Sequence, residues 1–539
     1  MEHGCLDRSR MRPGGFAGGA AAPSRSAVRR FGTALAVLCL AVSAAACTST
    51  ESAGGGDTTS LRVDVTNEPD TLDPMARNTP ETQRVYRLTY SGLLSYKEDQ
   101  TLVPDLAAAM PEVSADRLTY TIKLREGVTF HDGAPFTAKD VVFTYDVVRE
   151  AKNASQWRSG LRLVDTVEAQ GDYTVVIKLK SPYSYLDSRL AMIPILSSAT
   201  PYVPNQTYTT KSNGTGPYKL KSFAKGENLV LEANDKYFGA KPSIKTVTLN
   251  LVPENASRIA RLVNGQTDIV PELPASQMKL VSNGGQNAVA VTGNVSRLFL
   301  YPSLAANRPT ANADFRLAVA WAIDRQQIVN QVYAGQGRPN STYLTYGTPY
   351  HDEQLGLYFG STANAEKAKS HLAAAGGAPS RPLEFIVTNV PELISAATII
   401  QANLKAVGIE VRIEVAEVAA FYPRLVSGEY DFIMWRSPTA TSSGFAPDYA
   451  YGGLYSNSAN NLAKFSDPKM DQLLDAAISV PADQQAAAWK AVQEYDVQTQ
   501  GNIQVVVSTY NEGYSKALTN YAPSKLLWLN TLAGASISR

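Results

Sequence analysis

Apolar residues recur at every second position in Leu118, Tyr120, Ile122 and Leu124, and again in Tyr173, Val175, Ile177 and Leu179, each run bounded by turn formers such as Gly127 or Gly171-Asp172. A period of two puts these side chains on one face of a strand, so both runs read as half-buried strands of a sheet covered on one side. A shorter strand is read at Leu61, Val63 and Val65, ending at the turn-forming Asn67-Glu68-Pro69-Asp70. Helical spacing is equally legible. Met470, Leu473, Leu474, Ala477 and Ile478 form one stripe behind Ser466-Asp467-Pro468, with an acidic cap and a proline just inside. Another helix is expected to open near Asp314, carry Phe315, Val319, Ala322 and Ile323 on one side, and stop before Gly335. Strands and helices mixed along one chain define an α/β or α+β architecture.

With 539 residues, 44% hydrophobic and 18% charged, the chain can bury a large core divided into two or three folding units. Its amino end reads as an export signal, because Arg25, Arg29 and Arg30 precede an apolar run from Ala34 to Val42 that is too short to span a bilayer. Ala44-Ala45-Ala46-Cys47 resembles a bacterial lipobox, in which the cut precedes a cysteine that then carries lipid; Ala44 stands where leucine is usual, and plain secretion is the alternative. The Arg29-Arg30 pair is followed too early by Phe31 for a twin-arginine signal, which leaves Sec export, and Met11 is an alternative start. Cys5 and Cys39 precede the expected cut, so a chain starting at Cys47 forms no internal disulfide and must rely on packing. Thr48 to Ser60 is almost wholly Ser, Thr, Gly and Ala, the composition of a flexible tether. Residues 1–46 hold six of the 50 Lys and Arg and two of the 49 Asp and Glu, leaving a remainder of net −3 that gives no basis for nucleic-acid binding. No repeat, heptad run or second long apolar span follows.

A zinc hydrolase needs clustered His, Cys and carboxylate ligands, yet only His131, His351 and His371 follow the signal, none in a His-Glu-x-x-His pattern. There is no Gly-x-Ser-x-Gly elbow and no Gly-Lys dipeptide of a phosphate loop, and Gly214-Thr215-Gly216 runs into Pro217 as a tight loop. No cofactor or metal is therefore expected. His131-Asp132 beside Gly133 reads as a turn stapled by hydrogen bonds rather than an acid–base pair. Glycosidase carboxylates are paired in space, not in sequence, so a secreted hydrolase acting on saccharides or peptides stays as the alternative to a binding protein. The bias of 27 Tyr against 15 Phe suits clefts for polar ligands, although any single tyrosine is more often a packing residue.

Several segments together resemble the family 5 solute-binding proteins, receptors of ABC importers for oligopeptides, dipeptides, nickel and some oligosaccharides. They begin with Thr71-Leu72-Asp73-Pro74 and Tyr90-Ser91-Gly92-Leu93-Leu94. The most specific stretch runs from Leu118 through Arg125-Glu126-Gly127-Val128-Thr129-Phe130-His131-Asp132-Gly133 into Pro135-Phe136-Thr137-Ala138-Lys139-Asp140-Val141. Gly214-Thr215-Gly216-Pro217-Tyr218, Asn264-Gly265-Gln266-Thr267-Asp268-Ile269, Phe315-Arg316-Leu317-Ala318-Val319-Ala320-Trp321-Ala322-Ile323-Asp324, Gly408-Ile409 and Asp471-Gln472-Leu473-Leu474 follow in the family's order. The resemblance implies a two-lobed periplasmic-binding-protein-like fold of the class II, cluster C type, with a hinge and an additional inserted domain. Its expected parts are a signal peptide at 1–46, a lipidated cysteine and tether at 47–60, a first lobe from 61–89, 208–295 and 498–539, an inserted domain at 90–207, and a second lobe at 296–497. It implies a monomer without catalysis, held to the outer face of the membrane only through Cys47, that passes a small polar ligand, above all a peptide, to a permease.

In the family's dipeptide receptors an Asp shortly after a Trp pairs with the peptide amine, and an Arg on a nearby strand takes the carboxylate. Here Trp435 is followed by Arg436-Ser437-Pro438, the next acid is Asp448, and the strand Phe385-Ile386-Val387-Thr388-Asn389 carries no basic residue. The departure favours longer peptides held through their backbone, or an uncharged or anionic solute met by Arg436 and Asn389. The expected ligand contacts are Asn67, Glu68, Tyr90, Thr215, Asn389, Trp435, Arg436 and Asp448.

Overall fold

The computed structural model describes residues 57–539 apart from 77–78, 98–100, 439–445, 457, 459–460 and 525–528, so Cys47 and the signal lie outside the described residues. In chain order the principal strands are β1 (Ser60–Val65), β2 (Glu112–Val113), β3 (Thr119–Lys123), β4 (Val164–Ala169), β5 (Thr174–Leu179), β6 (Tyr218–Ala224), β7 (Asn228–Ala233), β8 (Thr246–Leu251), β9 (Ile269–Val270), β10 (Asn287–Pro302), β11 (Gly337–Pro339), β12 (Leu383–Thr388), β13 (Val411–Ala416), β14 (Phe432–Pro438) and β15 (Ile503–Ser515). The principal helices are α1 (Pro80–Thr89), α2 (Ala138–Arg149), α3 (Ala313–Ala322), α4 (Arg325–Gln331), α5 (Pro391–Ala406), α6 (Val418–Ser427), α7 (Ala446–Leu454), α8 (Pro468–Ser479) and α9 (Ala482–Thr499).

One mixed sheet of eleven strands runs β13-β12-β14-β10-β15-β9-β1-β8-β7-β6, with β11 also on β15. Two strands carry it from one half to the other. Asn287 to Val291 of β10 pair with Ser515 to Asn511 of β15, which here also holds β9; from Ser296 to Leu300, β10 pairs with Ser508 to Ile503 and takes β14 on its other edge. The register shifts between Val291 and Asn294 and between Asn294 and Ser296, where one group of strands gives way to the other, and again between Leu298 and Phe299. Each group has its own apolar core. Leu61, Val63, Leu231, Val247 and Ile269 fill the first, and Leu298, Phe315, Phe385 and Met434 the second.

A separate four-stranded sheet, β2-β3-β5-β4, packs with α2 around Ile122, Val141, Tyr145 and Ile177. Tyr120, Ile122, Val175 and Ile177 are buried as their alternation requires, and Val176 is buried too, so β5 is covered on both faces. α8 and α9 join this core through Met470, Leu474 and Trp489, whose indole Nε1–H donates to Tyr185 Oη at 2.5 Å. α8 starts where its cap was read, with the Asp467 carboxylate accepting from Lys469 N and Met470 N. The helix expected from Asp314 to Gly335 is instead two. Ile323 turns extended (ψ 122°) and Asp324 accepts from Gln327 N at 2.8 Å, so an acid inside the apolar stripe ends α3 by capping α4.

Burial pushes the carboxyl groups of Asp105, Asp496 and Glu512 each up to about 7. The folded chain therefore keeps protons that the unfolded chain has already released between the ordinary carboxylate range and pH 7, and stability falls as pH rises through that window. Glu512 accepts from Tyr521 Oη at 2.5 Å. Denaturant titrations of Glu512→Gln at pH 5, 6, 7 and 8 are expected to show a shallower decline than the parent, by about 1 kcal/mol per pH unit. Parallel declines would place the buried proton elsewhere.

Candidate ligand-binding site

Polar side chains gather past the ends of β1 and β9 in one half of the sheet. Beyond Val65 the chain turns through Asn67 and Glu68, which line a small pocket together with Glu81 and Arg84 of α1. Asn67 is exposed and donates weakly to Glu81 Oε1 at 3.4 Å, while Glu68 Oε2 accepts from Gly226 N at 2.8 Å. Arg84 is only 2% exposed, and its guanidinium donates to Glu272 Oε1 at 2.6 Å and to Tyr510 Oη at 3.3 Å. Glu272 follows β9 with φ +58°, a left-handed backbone that a residue with a Cβ holds only where its surroundings enforce it. Burial alone would push its carboxyl up, but Arg84, then Arg436 and Arg258, hold it below the ordinary value. Arg436 belongs to β14 in the other half of the sheet.

The expected contacts in the second half sit on β14 and beside it. Trp435 is half-buried and stacks on Phe421 of α6, with centroids 5.1 Å apart and planes at 27°. Arg436, the next residue, is exposed on the opposite face, and Asn389 is exposed just past the end of β12. Asp448 falls in α7, but its side chain is outside the described residues.

Tyr90 and Thr215 sit elsewhere. Tyr90 is 5% exposed, packs edge-on against Tyr208, and accepts from Asn213 N through its hydroxyl, which makes it a core residue of the small-sheet unit rather than a cleft wall. Thr215 is 1% exposed in the loop pressed against the end of α1. There a Cβ on Gly214 would stand 2.1 Å from Thr89 O and one on Gly216 2.5 Å from Leu88 O, so the glycines permit a close backbone approach. His131 holds the same loop, with its backbone N–H donating to Gly214 O at 2.9 Å and its Nε2 3.1 Å from Gly216 O, while Asp132 accepts from Ala134 N and Asn213 Nδ2. Burial pulls the imidazole down to about 4, so it stays neutral at physiological pH and serves as part of the stapled turn. Arg84 and Glu272 went unread in the sequence. The only signal for Glu272 is its place in Pro271-Glu272-Leu273-Pro274, directly after the Asn264-to-Ile269 segment.

One large mixed sheet, carried across two groups of strands by β10 and β15 and flanked by helices, is the fold of the periplasmic ligand-binding receptors. The chain belongs to the bacterial extracellular solute-binding proteins, family 5, whose pattern matches residues 101–462. It is 31% identical over 492 residues to protein XP55 of Streptomyces lividans, covering 86% of each chain. It is 28% identical over 404 residues to the oligopeptide-binding protein AppA of Bacillus subtilis, covering 70% of this chain and 72% of that one. The solved structure of Bacillus subtilis AppA in complex with a nonapeptide superposes with a TM-score of 0.80 at 23% identity, over 89% of this chain and 99% of the other. That of AgaA from A. tumefacien R10 in complex with agropinic acid does so with a TM-score of 0.79 at 22% identity, also over 89% and 99%. The hydrolase alternative finds no support. Among the described residues no group of three or more His, Cys, Asp or Glu is placed to hold a metal ion, and no helix is long and apolar enough to cross a membrane.

Proposed function

We propose that the protein captures a peptide or a similarly sized polar solute outside the cytoplasmic membrane and delivers it to an ABC importer. The carrying observation is the family match over residues 101–462, with the Arg84–Glu272 ion pair beside Asn67 and Glu68 as the candidate contact in one half of the sheet and Arg436 in the other. A solute touching both sides gains contacts in the closed form that the open form lacks, and that differential affinity drives closure about the bulged strands β10 and β15. The segments 61–89, 208–295 and 498–539 would move as one lobe carrying the domain at 90–207, and 296–497 as the other. Lipidation of Cys47 would hold the receptor, as a monomer, beside its permease. Peptide-binding relatives support the choice of solute, since AppA of Bacillus subtilis is named for oligopeptides.

The test is a thermal-shift screen of the secreted chain against peptide mixtures, oligosaccharides and metal chelates, with mass spectrometry of whatever co-purifies. A peptide at one hundred times its dissociation constant is expected to add about 2.7 kcal/mol of stability. A screen in which only saccharides or chelates raise the melting temperature would replace the peptide reading.

A further inference from the structure

Two buried arginines, Arg316 and Arg325, are saturated with acceptors, while Arg84 and Arg258 each leave Nε without a hydrogen bond among the described residues. Arg316 gives its guanidinium hydrogens to the carbonyls of Thr310, Ala311, Thr499 and Gln500, and Arg325 to those of Ala320, Ile323, Asn340 and Gln504. Arg297 is more isolated than any of these, with two nitrogens unpartnered among the described residues. It is 0% exposed, its one hydrogen bond is Nη1 to Tyr343 O at the outer limit of 3.5 Å, and its Nε and Nη2 have no partner among the described residues. The guanidinium carbon lies 4.0 Å from the Tyr343 ring centre, 4.5 Å from that of Tyr449 and 4.9 Å from that of Phe299. Asp496 is the acid within its field, but Asp496 Oδ2 accepts from Tyr343 N at 2.7 Å and forms no ion pair with it. A desolvated cation without an acceptor is costly, and aromatic faces offset only part of that cost.

The position of this group is as telling as its isolation. Arg297 pairs in register with Ser437 of β14 and Phe299 with Trp435, so Arg297 shares a sheet face with the tryptophan of the expected cleft. Ser437 Oγ lies 2.7 Å from Tyr449 Oη, which ties the aromatic wall to the same strand. The two nitrogens without partners form one side edge of the guanidinium plane, where two parallel N–H bonds match the two oxygens of a carboxylate. We propose that Arg297, walled by Tyr343, Tyr449 and Phe299, is the subsite that receives a carboxylate of the bound solute, entering while the lobes are apart. This deepens the binding reading above and rests on it. It also supplies, from β10, the basic residue that the Phe385-to-Asn389 strand lacks.

The experiment compares peptides with a free C-terminal carboxylate against the same peptides amidated, and adds carboxylic acids without a peptide bond, all by calorimetry on the parent, Arg297→Lys and Arg297→Gln. Amidation is expected to weaken binding to the parent by about 100-fold, and the acid-to-amide ratio to collapse toward one in Arg297→Gln and to survive in part in Arg297→Lys. The parent comparison needs no variant to fold. Equal binding of acid and amide by the parent, or an unchanged ratio in a folded Arg297→Gln, overturns the subsite. Binding of the non-peptide acids alone, lost in Arg297→Gln, upholds the subsite and removes the peptide reading. Failure of every carboxylate tested, with binding of uncharged solutes, overturns the subsite and leaves the receptor reading standing.

Discussion

Trp489→Ala is expected to lower the unfolding free energy by about 3–5 kcal/mol, the range for deleting a large aromatic side chain from a packed core. Trp489 is 0% exposed, lies 6.3 Å from the Tyr185 ring and donates to the Tyr185 hydroxyl, a partner 304 residues away in the chain. Around it Ser184 N donates to Ile478 O at 3.0 Å and Ser184 Oγ to Val480 O, also at 3.0 Å. One indole therefore helps fasten α8 and α9 to the small-sheet unit, and its loss is felt by both. Urea titration measures the stability, and hydrogen exchange at 183–186 and 478–480 is expected to rise together. Trp489→Phe keeps most of the volume but removes the indole N–H that donates to the Tyr185 hydroxyl, which costs about 1 kcal/mol. A Trp489→Ala loss below about 1 kcal/mol would mean that the neighbours collapse into the space and that the fastening lies elsewhere.

Glu272→Gln is expected to cost about 3 kcal/mol at pH 7, because it leaves Arg84 buried without its counter-charge. Arg84 cannot follow water outward, being 2% exposed in α1, and Tyr510 offers it only a neutral hydroxyl. The sign with pH is opposite to that of Glu512. The Glu272 carboxyl is held below its ordinary value by Arg84, Arg436 and Arg258 against the push of burial, so its contribution is present above the unfolded pKa and disappears as pH falls through the lower folded one. Parent and variant should thus differ at pH 7 and converge in acid, read by denaturant titration at pH 7 and pH 3. Arg84→Met is the milder change, since the Glu272 side chain is 28% exposed and water can solvate it. A constant gap at both pH values would show that the carboxylate charge is not what stabilises Arg84.

Much of the site was legible as chain segments and little as contacts. Trp435 and Arg436 were read from the resemblance to the family's dipeptide receptors, and they lie together on β14, on opposite faces as the period of two requires. Asn67 and Glu68 were read as a turn after β1, and they line the pocket beside Arg84. Tyr90 and Thr215 were drawn from motifs whose physical work is packing one backbone against another, which motif matching does not separate from ligand contact. Arg84 and Arg297 sit in ordinary helix and strand patterns, and a lone arginine there reads as exposed until the partners that bury it are known.

The chain alone determined the strand and helix periods, the capping of α8 by Asp467 and the family, because each depends on residues close together in sequence. The tertiary structure alone decided that α3 and α4 separate at Asp324, that α8 and α9 share a core with the small sheet, and that Glu272 pairs with Arg84 across 188 residues. Burial and charge pairing are properties of neighbours in space, and two strands crossing between the two halves of the sheet bring together residues whose order along the chain does not reveal their distance.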